Sequence, residues 1–149
     1  MKKVLKIIGI TVLVLVVLIV AAIAIIAKVA SDRKTNYYKY TETGGEIEAK
    51  YTALGSHEVS YVEFDAKTAD YVKYAIWYPS DMKDSDKLWP VVVIANGTGQ
   101  ASVSYKEVYE HLASWGFVVI GNDDENSRTG ASSEETLVFL LDANEDTKC

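Results

Sequence analysis

Two stretches of the chain bring together residues with the chemistry to act on a ligand. Asn96-Gly97-Thr98-Gly99 follows a short apolar run and precedes a helical pattern, which puts it at the carboxyl edge of a sheet, where α/β proteins place their ligands. Gly97 permits a sharp backbone turn, so the N–H groups after it can point into a cleft and meet a developing oxyanion. Other readings of the same residues are an Asn-Gly hairpin turn and an Asn-x-Thr glycosylation site. A helical pattern, not a strand, follows the turn, and a phosphate-binding loop lacks both its Gly-Lys-Ser/Thr ending and the GxGxxG spacing. The second stretch, Asp123-Asp124-Glu125, sets three carboxylates after a strand end, with the types to ligate a hard cation or to supply an acid or base. Asn122, Asp124, Asn126 and Arg128 resemble a calcium loop only as far as its required glycine, which here is Ser127. Carboxylates so placed are expected to be solvated.

Nucleophiles and metal ligands are sparse. A serine nucleophile needs a Gly-x-Ser-x-Gly elbow between strand and helix, with an acid and a histidine later in the chain, and that pattern occurs nowhere in the 149 residues. Ser102, Ser104, Ser114, Ser127, Ser132 and Ser133 fall at helix caps, in helix or in loop. His57 is placed at the start of a strand, and His111, on a helix beside Glu107 and Glu110, is expected to face water. With these two histidines, a single Cys149 and no HExxH, no zinc site or cofactor is expected.

The elements that must hold these residues follow from periodicity. Glu46 to Leu54, His57 to Asp65 and Tyr71 to Tyr78 alternate imperfectly and are rich in Tyr and Val, predicting an antiparallel meander. In the third run Val72, Tyr74, Ile76 and Tyr78 share one face, and Lys73, Ala75 and Trp77 the other. Pro79-Ser80-Asp81 ends it, and Asp81 to Lys87 is expected as a solvated loop. Val91 to Ala95 is apolar without alternation, as in a strand buried on both faces of a parallel sheet. A capping box, Ser104 with Glu107, opens a helix with Val108, Leu112 and Trp115 as its apolar stripe and Gly116 as its stop. Phe117 to Ile120 is a second buried strand. A second capping box, Ser132 with Glu135, opens a helix to about Asn144. The order, an antiparallel β start and then strand, helix, strand, helix, is an α/β grammar.

Ahead of this lies a segment of a different kind. Lys6 and Lys28 bracket an uncharged run, Ile7 to Ala27, long enough at ~1.5 Å per residue to cross a bilayer core. It exceeds the apolar region of a cleaved signal peptide and continues through Ala22 to Ala24, the one Ala-x-Ala match, so residues 1–30 are expected to be a signal anchor contacting membrane lipid, with a cytoplasmic amino terminus. Residues 31–45 are expected to be a polar stalk, and residues 46–149 a domain outside the cytoplasm. Residues 31–149 carry all 21 acids but 11 of the 15 bases, a net charge of −10, which argues against nucleic acid as a partner.

Trp89 to Gly99, and then Tyr109 to Ile120, resemble the first half of a bacterial α/β-hydrolase, closest to the dienelactone hydrolase, chlorophyllase and cutinase-like polyester hydrolase group. Asn96 stands where His or Pro is usual, and Trp115 where His is common. The resemblance implies a partial α/β-hydrolase sheet, serine ester hydrolysis with an ester as substrate, and Thr98 as the donor of one backbone N–H to the oxyanion, with Gly97 and Gly99 shaping the turn. It places the nucleophile, its acid and its histidine beyond the last helix, so no catalytic residue is expected in this chain, which then reads as truncated and inactive alone. Two other functions remain open: a non-catalytic anchored module using the cleft or the Tyr-rich segment for binding, and a metal enzyme built on Asp123, Asp124 or Glu125.

Overall fold

A computed structural model describes residues 2–145, which divide into two units, one up to residue 45 and one from residue 46 onward. In the first, α1 (Lys2–Thr35) is a single helix of 34 residues, about 51 Å long. It is long and apolar enough to cross a membrane. Within the uncharged run from Ile7 to Ala27 the one hydroxyl, Thr11 Oγ1, donates to the Ile7 carbonyl at 3.0 Å, so no side-chain donor in that run is left open to an apolar surround. The helix runs past Ala30, and α2 (Tyr37–Tyr40) follows at once, so the first part of the expected stalk is folded.

The second unit is a four-stranded mixed sheet in the order β1-β2-β4-β3. β1 (Val59–Asp65) and β2 (Lys73–Pro79) form a hairpin, β2 pairs antiparallel with β4 (Val118–Asn122), and β4 pairs parallel with β3 (Val91–Val93). The first expected strand of the meander, Glu46 to Leu54, is absent: Glu46–Thr52 forms helix α3. Glu, Ala and Lys favour helix, and Glu46 and Glu48 in the first turn with Lys50 in the last complement the helix dipole. Apolar alternation in Ile47 and Tyr51 was the weaker signal, and both side chains are exposed.

The two faces of the sheet have separate cores. Tyr74, Ile76, Val118 and Ile120 project to one face, where Phe139 and Leu140 of α5 (Ala131–Glu145) cover them. Tyr74 stacks on Phe139 with ring centroids 4.1 Å apart. On the other face Ala75, Trp77 and Val119 meet Tyr109, Leu112 and Ala113 of α4 (Lys106–Ser114). β2 therefore divides its side chains as its alternation predicts, but both faces are buried. β3 is shorter than Val91 to Ala95 and, as the outermost strand, only half-buried.

Both helix starts differ from expectation. Ser104 lies inside a 3₁₀ turn, Ser102–Tyr105, and the residue preceding α4 is Tyr105, with no side-chain cap. α5 begins at Ala131, after Gly130 at φ +79°, so Ser132 is inside the helix and Glu135 instead accepts the Tyr71 hydroxyl at 2.8 Å. The α4 stripe is also shifted, with Tyr109 and Ala113 inside and Val108 half-exposed. Gly116 ends this segment at φ +94°, as expected of a glycine stop. Ser80–Asp84, expected as loop, is a 3₁₀ turn.

Candidate functional site

At the carboxyl ends of the parallel pair β3 and β4, two short polar segments are tied into one structure. Asn96, next to the end of β3, is 8% exposed. Its Nδ2 donates to the Asn122 carbonyl at 2.8 Å, to Asn122 Oδ1 at 3.1 Å and to the Asp124 carbonyl at 2.9 Å. Asn122, the last residue of β4, passes the connection on, its Nδ2 donating to Thr136 Oγ1 at 2.9 Å and to the Ser132 carbonyl at 3.1 Å on α5. Asp124 N–H donates to Asn122 Oδ1 at 3.0 Å, and the Ser127 hydroxyl donates to the Asn96 carbonyl. Buried polar groups hold only when partnered, and here the partnering fixes β3, β4 and α5 at one corner. Asn96 is therefore committed, which removes it as a glycosylation acceptor.

The turn after Asn96 is presented by that corner. Gln100 N–H donates to the Gly97 carbonyl at 3.1 Å, and Gly99 N–H donates to the Glu125 carbonyl at 2.8 Å. Gly97 N–H donates to the Tyr105 hydroxyl at 3.1 Å. Between these two engaged amides, the Thr98 N–H has no partner among the described residues, and Gly97, Thr98 and Gly99 are all exposed. The two glycines act differently from the expectation that Gly97 makes the sharp turn. Gly99 takes the left-handed conformation, φ +71°, at the third position of the turn. Gly97 is needed for space, since a Cβ there would stand 2.7 Å from the Tyr105 hydroxyl.

The three carboxylates do not form a cluster. Asp123 Oδ1 accepts the N–H groups of Val72 and Lys73 at 2.9 and 3.0 Å, Asp124 is buried with Oδ1 accepting Asn126 N–H at 2.7 Å, and Glu125 is exposed. Asp123 and Asp124 serve the backbone, which corrects the solvated reading for these two. Among the described residues no three His, Cys, Asp or Glu are grouped to hold a metal ion; Cys149 lies outside them.

Two of the serines are placed by the packing of the fold. Ser114 Oγ donates to the His111 carbonyl at 2.6 Å and accepts Gly55 N–H at 2.8 Å, and Ser102 is buried under Gly121. His111 is half-buried on α4. His57 precedes β1 and its Nδ1 meets the Asp81 carboxylate at 2.9 Å, a pair that sequence spacing did not reveal. This pair packs edge-on against Trp89 and beside Gly116, at the amino ends of β3 and β4. It is therefore at the opposite edge from the Asn96–Gly99 turn, away from where parallel sheets bind ligands.

The sheet edge offers one further surface. Pro90 C=O and Ile94 N–H bond to β4, so by the ladder alternation the N–H and C=O groups of Val91 and Val93 face outward. No family model matches the chain, and no curated protein is significantly similar to it.

Proposed function

We propose that residues 46–149 are the amino-terminal part of a serine ester hydrolase of the α/β-hydrolase kind, held at a membrane by α1 and facing away from the cytoplasm. The observation that carries this reading is the Thr98 amide. It lies just beyond a parallel strand, exposed and without a partner, while the amides on either side are both engaged. A donor held ready in this way meets the requirement of an oxyanion site, because its cost of ordering is met by the fold before the substrate arrives.

The outward edge of β3 supports the same reading. In the hydrolase group the strand that bears the nucleophile lies beside the strand equivalent to β3, and here that position is open. Attack on an ester carbonyl would need a serine and its base supplied from such a strand; Thr98 N–H would bond the oxygen as it becomes negative. The fold's own contribution is to hold that amide. By itself the chain is expected to show no ester turnover.

The test is the nucleotide sequence following the Cys149 codon. A Gly-x-Ser-x-Gly elbow in any reading frame within about thirty codons, followed by an acid and a histidine, supports the proposal. Its absence there would overturn it in favour of a non-catalytic anchored module.

A further inference from the structure

β3 closes one side of the sheet, and the outward N–H and C=O groups of Val91 and Val93 bond to no described residue. Edge strands are usually shielded from other chains by a charge, a bulge or a covering segment. The opposite edge strand, β1, carries Glu63 and Asp65, and Glu58 precedes it. β3 has no charge of this kind. From Leu88 to Tyr105 the sequence holds no charged residue, and Val91 is 47% exposed.

The helix beside this edge is apolar on the same side. Glu135 of α5 accepts the Tyr71 hydroxyl, and Phe139 packs on Tyr74 of β2 and Phe64 of β1, so one flank of the helix faces those strands. Thr136 Oγ1, on the face toward the sheet, accepts Asn122 Nδ2 of β4. By the helix period Leu137 and Leu141 lie on the other flank, and the strand order puts that flank on the side of β3. Both are exposed, at 42% and 56%. Val93 joins the core under α5, and Val91, two residues away, projects to the same face of the sheet. Edge and flank thus form one strip. It leaves open on the order of 350 Å² of apolar surface per copy, most of the apolar share of an interface in which each partner buries about 800 Å².

We infer that two copies of this chain pair antiparallel through β3, about a two-fold axis at Val92, and join their sheets into one. Val91 of each copy then lies opposite Val93 of the other, and both pairs exchange the outward N–H and C=O bonds. The same patch serves on both sides, as a two-fold contact requires. Neighbouring strands lie about 4.8 Å apart, so α5, which lies over β4 and β3, comes within about 10 Å of α5 of the second copy, the axis separation at which helices pack. Leu137 and Leu141 meet their counterparts there. A lone peptide strand would take up the ladder and leave these leucines open; a second copy covers both. The inference does not rest on the hydrolase reading, since a strand following residue 149 would compete with the second copy for the same edge.

The full chain is held in micelles in excess over protein, and its mass is read by sedimentation. Two copies are expected. Val91→Lys and Leu141→Lys each alter an exposed side chain, and each should weaken association at least about tenfold by placing a charge in the apolar strip, with circular dichroism unchanged. Register is read by copper-phenanthroline oxidation of single cysteines in a Cys149→Ser background. At the two-fold the Val92 Cα atoms stand about 4.5 Å apart, within reach of a disulfide, whereas the two Val91 Cα atoms stand about 9 Å apart, beyond it. Val92→Cys should therefore cross-link at least about tenfold faster than Val91→Cys or Lys67→Cys. A single copy in the sedimentation would overturn the pairing and leave the edge to a strand from a longer chain. Equal cross-linking at the three positions, or a dimer that neither lysine weakens, would also overturn it and assign the association to α1.

Discussion

Replacing Asn96 tests whether the polar corner holds the site. Its Nδ2 group has two N–H donors shared among three acceptors, Asn122 C=O, Asn122 Oδ1 and Asp124 C=O, at 2.8 to 3.1 Å. Asn96→Ala removes the equivalent of two buried hydrogen bonds, each worth about 1 kcal/mol net, and strands acceptors that cost about 1 kcal/mol or more. Asn96 Oδ1 is itself buried without a partner among the described residues, and its removal offsets about 1 kcal/mol. The expected loss is about 2 kcal/mol, or roughly 8–16 °C in melting temperature for a unit of this size. Asn96→Asp points a carboxylate at three oxygens and should cost more, on the order of 3–5 kcal/mol at neutral pH. The new carboxyl has a raised folded pKa, so its stability is present below the unfolded value and lost as pH rises; acidification should narrow the gap between the two variants. Urea unfolding of the full chain in micelles, followed by tryptophan fluorescence, reads this without interference from α1, because Trp77, Trp89 and Trp115 all lie in residues 46–149. An Ala variant within ~0.5 kcal/mol of the parent, or an Asp variant no worse than Ala at neutral pH, would refute the argument.

The turn, the core and the exposed sheet face each give a further test. In a chain extended by the hydrolase remainder that the proposed function calls for, Thr98→Ala should keep ester kcat, whereas Thr98→Pro deletes the amide and should cost roughly 2.7–4 kcal/mol in barrier; proline is common at the second position of such turns, so circular dichroism should show a folded variant. Gly121→Ala would place a Cβ 2.1 Å from the Tyr109 hydroxyl and should destabilise by about 1–3 kcal/mol. Tyr109→Phe removes a buried hydroxyl that has no partner among the described residues, so it should be neutral or stabilising by about 1 kcal/mol, and in that background Gly121→Ala should cost less, read by urea midpoints. Glu63 is held below the usual carboxylate range by Lys73 and then Tyr61, so its contribution is present above about pH 4.5 and fades as pH falls through the lowered value; Glu63→Gln should flatten that part of the stability profile.

The parts of the fold legible in the sequence are those set by local chemistry. Val118 to Ile120 shows no alternation because β4 lies between two strands and under two helices, and Gly116 shows as a stop because only glycine enters the left-handed region cheaply. The helix at Glu46 was legible too, in its glutamates, alanine and lysine and in the i, i+4 spacing of Ile47 and Tyr51, which fits a two-residue alternation equally well and so masked it. The capping boxes misled because Ser104 and Ser132 have the right neighbours in sequence and the wrong position in space: a 3₁₀ turn and a glycine set the helix starts first. The corner of Asn96, Asn122 and Thr136 was not legible, since its partners come from three separate elements. A polar residue closing each of two apolar strands is the signal that remains, and it marks a network only once the strands are known to be neighbours.

The strand order also sets a schedule for assembly. β1 and β2 pair through residues as near in sequence as Asp65 and Lys73, whereas β2 meets β4 through Tyr74 and Asn122. The strand at the middle of the sheet is thus the last of the four to be synthesised. As the chain is made, the hairpin can close at once, but the inner edge of β2 and the whole of β3 must wait, apolar and unpaired, until residue 122 has emerged. During that interval the inner edge of β2 and both edges of β3 are open, where the folded sheet keeps only the outer edges of β1 and β3, and those extra edges are what a chaperone would have to cover.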